Sequence, residues 1–162
     1  MVPIKGSKSK SGITVKGSND LAVRFSKCCS PVPGDEIVGF VTRGRGITIH
    51  RTDCINVLNL PEIERSRLID AEWQGVEEDN SAATYSTEIS IFANNRIGMF
   101  VDISKIFTER EIDIKTMNSR VNKQGKATIT MSFDIHGIEE LNNLMAKLRQ
   151  IDGVLDIERT TG

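Results

Sequence analysis

Three thiols and an imidazole fall within 27 positions of this 162-residue sequence: Cys28, Cys29, His50 and Cys54. Sulfur and imidazole nitrogen are the donors that a closed tetrahedral metal shell takes when its role is structural. Four such residues supply the required number, and the spacing His50-x3-Cys54 can bring two of them onto one turn of chain. The adjacent pair Cys28-Cys29 is harder to place, because neighbours on a strand point to opposite faces. Both thiolates reach one ion only if the chain bends sharply, and Pro31 and Pro33 stand close by. A bridge between the two is disfavoured, since adjacent α-carbons lie about 3.8 Å apart and unstrained disulfides need about 4.4–6.8 Å. The residues leave three readings open: a structural zinc site, a tightly built recognition surface, or small buried thiols beside a hydrogen-bonded histidine. A thiolate catalyst would need a neighbouring base and oxyanion donors, and a filled Cys3His shell has no open coordination position.

Two further groups could bind a ligand. Arg43-Gly44-Arg45-Gly46 joins two strand-like stretches and offers guanidinium forks and a close backbone approach, suited to phosphates or stacked bases. His50 and Arg51 add basic contacts, so Arg43, Arg45, His50 and Arg51 form an RNA-contacting candidate set. Further on, Asn95-Arg96-Ile97-Gly98-Met99 opens a helix whose first N–H groups favour an anion such as an amino-acid carboxylate. Asn95 can cap that helix, Gly98 permits close approach, and Met99 and Ile112 could receive an apolar side chain. No glycine-rich nucleotide loop occurs anywhere.

Period-two alternation and turn residues set out the elements that must hold these groups. In the first part, strands are expected at 36–42, 47–50 and 68–73, with a short one at 13–16. Thr52 or Asp53 would cap a helix over 54–58. In the second part the strands are 85–93, 112–121, 126–135 and 154–159. Helices fall at 99–110, with Phe100, Ile103 and Ile106/Phe107 as its apolar stripe, and at 138–151, with Leu141, Leu144, Met145 and Leu148. Gly125 lets residues 122–125 form a hairpin turn. The order βαββαβ is the split, ferredoxin-like arrangement. The fold class is therefore α+β, a small Cys/His-containing α/β module followed by a ferredoxin-like domain.

Charge divides the chain in the same way. Residues 1–19 carry +4, residues 20–54 carry +1, residues 55–85 carry −5 and residues 86–162 carry −1. The expected organisation is a basic flexible segment over 1–19, the cysteine module over 20–74, an acidic linker over 75–84 and the second domain over 85–162. No run of about 18 apolar residues is present and the start lacks the apolar centre of a secretory signal, so the expected location is cytoplasmic.

The run from Val23 through Cys28-Cys29-Ser-Pro-Val-Pro-Gly-Asp35, closed by His50-Arg-Thr-Asp-Cys54, resembles the conserved-cysteine (zinc-finger-like, or RIS) module of long RelA/SpoT-type alarmone synthetase/hydrolases. Asn95-Arg96-Ile97-Gly98-Met99-Phe100 is similar to the first loop of an ACT domain, with Ile97 where a proline is frequent. The resemblance implies the regulatory C-terminal region of a bifunctional enzyme that makes and hydrolyses (p)ppGpp, a GTP diphosphokinase of the stringent response. This region would couple the state of the ribosome, its rRNA and deacylated tRNA to catalytic domains not contained in these residues, and it would carry no catalytic residue itself. By the same resemblance, Asp113 of a second copy would lie near the loop 95–99, in a homodimer formed through the ACT domain. The alternative is an amino-acid sensor in which a branched-chain amino acid binds that loop.

Overall fold

Alternating apolar residues lay down five short strands before residue 74, and the computed structural model describes residues 13–15, 22–44, 46–73 and 83–160. The chain divides into two units, the second spanning Ala82–Thr160. The first holds β1 (Ile13–Val15), β2 (Val23–Phe25), β3 (Ile37–Thr42), β4 (Gly46–Arg51), the single-turn helix α1 (Ile55–Leu58), a 3-10 helix (Glu62–Arg67) and β5 (Leu68–Trp73). Its sheet runs β1-β5-β3-β4-β2.

Alternation sends the two faces of this sheet to different partners. Ile13, Val15, Ile47, Ile49 and Ala71 form one buried cluster, joined by Val23, Phe25, Ile37, Val41, Ile69 and Trp73. Phe25 and Trp73 stack across it with centroids 5.6 Å apart, and Trp73 Nε1 donates to the Asp35 carbonyl at 3.0 Å. On the other face Cys29, Cys54 and Val57 form a second cluster with Cys28, Val38 and Leu68. Among the described residues of that cluster, Val57 is the one bulky apolar side chain fully inside.

Three features of this unit were not expected. β2 pairs in parallel with β4, Val23 opposite Ile47, although three residues are too few to show a period. β1 belongs to the sheet, paired antiparallel with β5, so the sheet extends beyond a module beginning at residue 20. The helix after β4 is capped by Cys54 without a side-chain bond, not by Thr52 or Asp53, because the Asp53 carboxylate is turned to Arg51. Residues 1–12 and most of the expected linker lie outside the described residues.

The second unit has the order β6 (Tyr85–Asn94), α2 (Met99–Glu109), β7 (Ile114–Val121), β8 (Lys126–Ile135), α3 (Ile138–Arg149) and β9 (Val154–Arg159). Its sheet order β7-β8-β6-β9 is the ferredoxin-like one. Ile89 and Ile91 from β6, and Ile129, Met131, Phe133 and Ile135 from β8, are wholly buried. The Phe107 and Phe133 rings meet edge to face at 5.0 Å. The buried stripe of α2 is Met99, Ile103 and Phe107, at i, i+4 and i+8, and Phe100 is exposed instead of buried. The helix ends in the left-handed Glu111, φ 57°, and β7 therefore begins at Ile114, two residues later than expected. β7 is an edge strand with exposed side chains on both faces. Among the described residues no helix is long and apolar enough to cross a membrane.

Candidate functional site

The bend that the vicinal cysteines require is present. Lys27–Cys29 form a turn closed by the Ser30 N–H donating to the Ser26 carbonyl at 3.0 Å, and Ser30 takes the left-handed conformation, φ 47°. That conformation costs a non-glycine residue about 1–2 kcal/mol, and here it turns Cys28 and Cys29 toward the end of β4. His50 arrives from that strand, and Cys54 from the start of α1. The four ligand atoms all lie within 4.8 Å of one another. Cys28 Sγ is 3.5 Å from His50 Nδ1 and 3.4 Å from Cys54 Sγ, and Cys29 Sγ is 3.9 Å from His50 Nδ1. Bonds of about 2.3 Å to sulfur and about 2.0 Å to nitrogen place tetrahedral S–S and S–N edges near 3.8 and 3.5 Å. The cluster fits such a shell and could hold a metal ion.

The surroundings polarise the thiols unequally. Burial pushes Cys29 up to about 12, against the Arg51 backbone N–H that donates to its sulfur at 3.3 Å. Burial raises Cys54 as well. At Cys28 burial is outweighed by hydrogen bonds from Ser26, Asn56, Cys54 and Cys29, and its thiol lies below the ordinary range. Ser26 Oγ is only 2.7 Å from its sulfur. Burial also lowers His50 below its ordinary value of 6.5, which keeps the ring neutral and able to ligate. Ser26 and Asn56 escaped sequence reading, because a hydroxyl and an amide near cysteines carry no distinctive spacing.

Arg51 has a different place from the one expected. It is buried, its Nη1 donates to the Cys29 carbonyl at 3.1 Å, and its Nε and Nη2 donate to Asp53 at 2.9 and 2.6 Å. It braces the cysteine turn and does not face solvent as a phosphate contact. His50 Nδ1 faces the thiols. Arg43 is exposed and 4.0 Å from Glu64, while Arg45 lies outside the described residues. Of the two nearby glycines, Gly46 (φ +100°) is pressed against this chain's own backbone, since an added Cβ would sit 2.2 Å from the Ala22 carbonyl oxygen. The close approach expected for a ligand is used by β2. Phe40 on β3 carries the Arg67 guanidinium 4.8 Å above its ring.

The histidine gives the metal-free protein a pH dependence. A depressed folded-state pKa means that the unfolded chain binds the extra proton first. The contribution is full above the ordinary value of 6.5 and is lost as pH falls through the lowered one. Urea unfolding of metal-stripped protein is expected to show stability declining below that value, by at most about 1.4 kcal/mol per pH unit. His50→Asn should flatten the decline.

In the second unit the loop before α2 is locked by Arg96. Its Nε donates to the Asp152 carbonyl at 2.8 Å, its Nη1 to the Ile97 carbonyl at 3.1 Å and its Nη2 to Asp102 at 2.7 Å. The helix cap is Gly98, φ 84°, with no side-chain bond, so Asn95 does not cap. The Asn95 N–H instead donates to the Gly125 carbonyl at 2.8 Å. The Met99 N–H is taken by the Arg96 carbonyl at 3.3 Å. Met99 and Ile112 are core residues and line no open surface, whereas Ile97 is completely exposed. Asp113 is exposed and pairs with Lys115 at 3.4 Å.

Over residues 13–74 the chain matches the family model of the RelA/SpoT RIS domain, and over residues 81–159 that of the ACT domain. It is 36% identical to the GTP pyrophosphokinase of Escherichia coli K12, over 99% of this chain and 21% of that protein. It is 34% identical to the GTP pyrophosphokinase of Haemophilus influenzae, over 96% of this chain and 20% of that protein. The chain thus spans about a fifth of the curated relatives it matches. The crystal structure of the ACT domain from the GTP pyrophosphokinase of Chlorobium tepidum shares 26% identity with a TM-score of 0.43, covering 48% of this chain and 99% of that domain. The chain belongs to the RelA/SpoT family, of which it carries a RIS domain followed by an ACT domain.

Proposed function

We propose that these two domains are the C-terminal regulatory region of a bifunctional cytoplasmic alarmone synthetase/hydrolase, and that they relay ribosome and tRNA state to its catalytic domains. The observation that carries this reading is the ordered pair of RIS and ACT domains within proteins named GTP pyrophosphokinase. The cluster of Cys28, Cys29, His50 and Cys54 holds a structural zinc. Zinc is the metal that takes three thiolates and an imidazole in a closed shell. The packing supports the same view. Burying Val57 contributes about 1.5–3 kcal/mol, while each loop residue fixed around the cluster costs about 1–2 kcal/mol of backbone entropy. A metal cross-link offsets that deficit. Bound there, zinc supplies no catalytic chemistry, and its ligands tie the cysteine turn, β4 and α1 together.

Ribosomal RNA is the partner of the RIS domain in this reading. Exposed Arg43, with Arg45 two positions on in the sequence, supplies the cations, and the half-buried Phe40 of β3, under Arg67, supplies an aromatic face. Replacing Arg43 and Arg45 together by Ala should weaken ribosome association. It should also reduce the salt dependence by roughly one unit for each phosphate no longer neutralised. Co-sedimentation across a salt series checks this, and unchanged binding at every salt concentration would remove RNA recognition from the reading.

A second reading is favoured by the exposed Ile97 beside left-handed Gly98 at the start of α2. In it a branched-chain amino acid binds between two ACT domains that pair through their open β7 edges. Asp113 of the second copy completes the site. Calorimetry with valine, leucine and isoleucine should give saturable heat that Gly98→Trp abolishes. No heat at millimolar ligand leaves pairing of the domains as the role of this loop.

A further inference from the structure

The three thiols of the RIS domain differ in access and in what holds them. Cys28 is half-buried, whereas Cys29 and Cys54 are closed off from solvent. Cys28 Sγ and Cys54 Sγ are 3.4 Å apart, across 26 positions of chain. Cys29 Sγ accepts the Arg51 N–H at 3.3 Å, and a bridge from it to Cys28 would join adjacent residues, whose α-carbons stand too close for an unstrained disulfide.

We infer that Cys28 and Cys54 form a redox pair, which a peroxide converts into an intrachain disulfide that dismantles the metal shell. The Cys28 sulfur, open to solvent, attacks one peroxide oxygen. The O–O bond breaks, one water leaves and Cys28 becomes a sulfenic acid. The Cys54 sulfur then displaces that oxygen as a second water, and the S–S bond forms. Two thiols and one hydrogen peroxide give one disulfide and two waters, the sulfurs losing the two electrons that the peroxide gains. Only Cys29 and His50 remain as donors, too few for a closed shell. The disulfide keeps the cysteine turn tied to α1, so the domain exchanges a metal link for a covalent one at the same two points.

Metal release rests on the zinc reading above, and disulfide formation rests on the thiol positions alone. The experiment treats the zinc-loaded and the metal-stripped chain with one equivalent of hydrogen peroxide. A chromogenic chelator reads released zinc, and mass spectrometry of tryptic peptides reads the cross-link. The expected result is full release of the bound zinc, a Cys28–Cys54 link in both samples, and reversal by dithiothreitol with added zinc. Cys29→Ser should still form the link. A Cys28–Cys29 bridge, a link between two chains, sulfinic acid at Cys28 without a link, or loss of the link in Cys29→Ser would each overturn the inference. A chain that purifies without zinc yet forms the Cys28–Cys54 link would overturn the zinc reading and uphold the redox pair.

Discussion

Cys54→Ser is expected to release about one zinc per chain and to lower the unfolding midpoint of the RIS domain while that of the ACT domain is unchanged. The two energies involved differ in scale. Structural zinc in small domains contributes an apparent binding energy of about 10–16 kcal/mol near neutral pH, whereas a core of this size supplies no more than about 3–5 kcal/mol. Cys54 caps α1, its sulfur lies within the cluster, and its N–H donates to the Arg51 carbonyl at 3.1 Å. The backbone bond survives the substitution, so what is removed is the sulfur. Trp73, the chain's single tryptophan, stacks on Phe25 in the same domain and reports its unfolding without interference from the ACT domain. The expected signal is a Trp73 red shift at lower denaturant concentration in Cys54→Ser and in chelator-treated wild type than in the zinc-loaded protein. Metal-free protein with unchanged emission and an unchanged unfolding midpoint would show that the thiols need no ion.

The second large effect is expected at Gly46. Gly46→Ala should destabilise the RIS domain by about 2–5 kcal/mol, combining left-handed strain of about 1–2 kcal/mol with overpacking of about 1–3 kcal/mol. The clash is with backbone, since the added Cβ would meet the Ala22 carbonyl oxygen at 2.2 Å, and that oxygen accepts the Ile47 N–H at 2.8 Å. Yielding would therefore unzip β2 from β4. Gly44→Ala is the control. It shares the positive φ, +77°, but an added Cβ meets nothing within 4 Å, so only the strain remains. Denaturant unfolding of the two variants should differ by at least about 1–3 kcal/mol, the overpacking contribution. Equal costs would mean that the close approach of β2 contributes nothing.

The ACT fold was legible because its strands are long. β8 alternates over ten residues, and all five of its inward positions from Ala127 to Ile135 are buried. α2 was displaced by one step, since Met99 and Phe100 are both apolar and only packing reveals which one enters the core. In the RIS domain the ligand set Cys28, Cys29, His50 and Cys54 could be named from residue type, and the structure brings its atoms together. The turn that brings them together could not be read, because Ser30 is an ordinary residue forced into a left-handed conformation by its surroundings. Arg51 was misplaced for a related reason. A cation after a histidine reads as a surface contact until Asp53 and the Cys29 carbonyl are seen around it. The parallel strand β2 is too short to carry any pattern.

That parallel strand also sets an order of assembly. Antiparallel β3 and β4 can join through their own tight turn, but β2 must wait for its partner, 24 positions away at Val23 opposite Ile47. The cysteine turn follows directly on β2, so Cys28 and Cys29 cannot reach His50 until that long loop has closed. Closure of distant segments is the slow step in small β-rich chains. During synthesis, then, Cys28 and Cys29 emerge first but wait until β3 and β4 have paired and brought in His50 and Cys54, and the four donors come together only when β2 docks on β4. If the zinc reading holds, ion capture would come last in this sequence, after the docking of β2 has assembled the four donors.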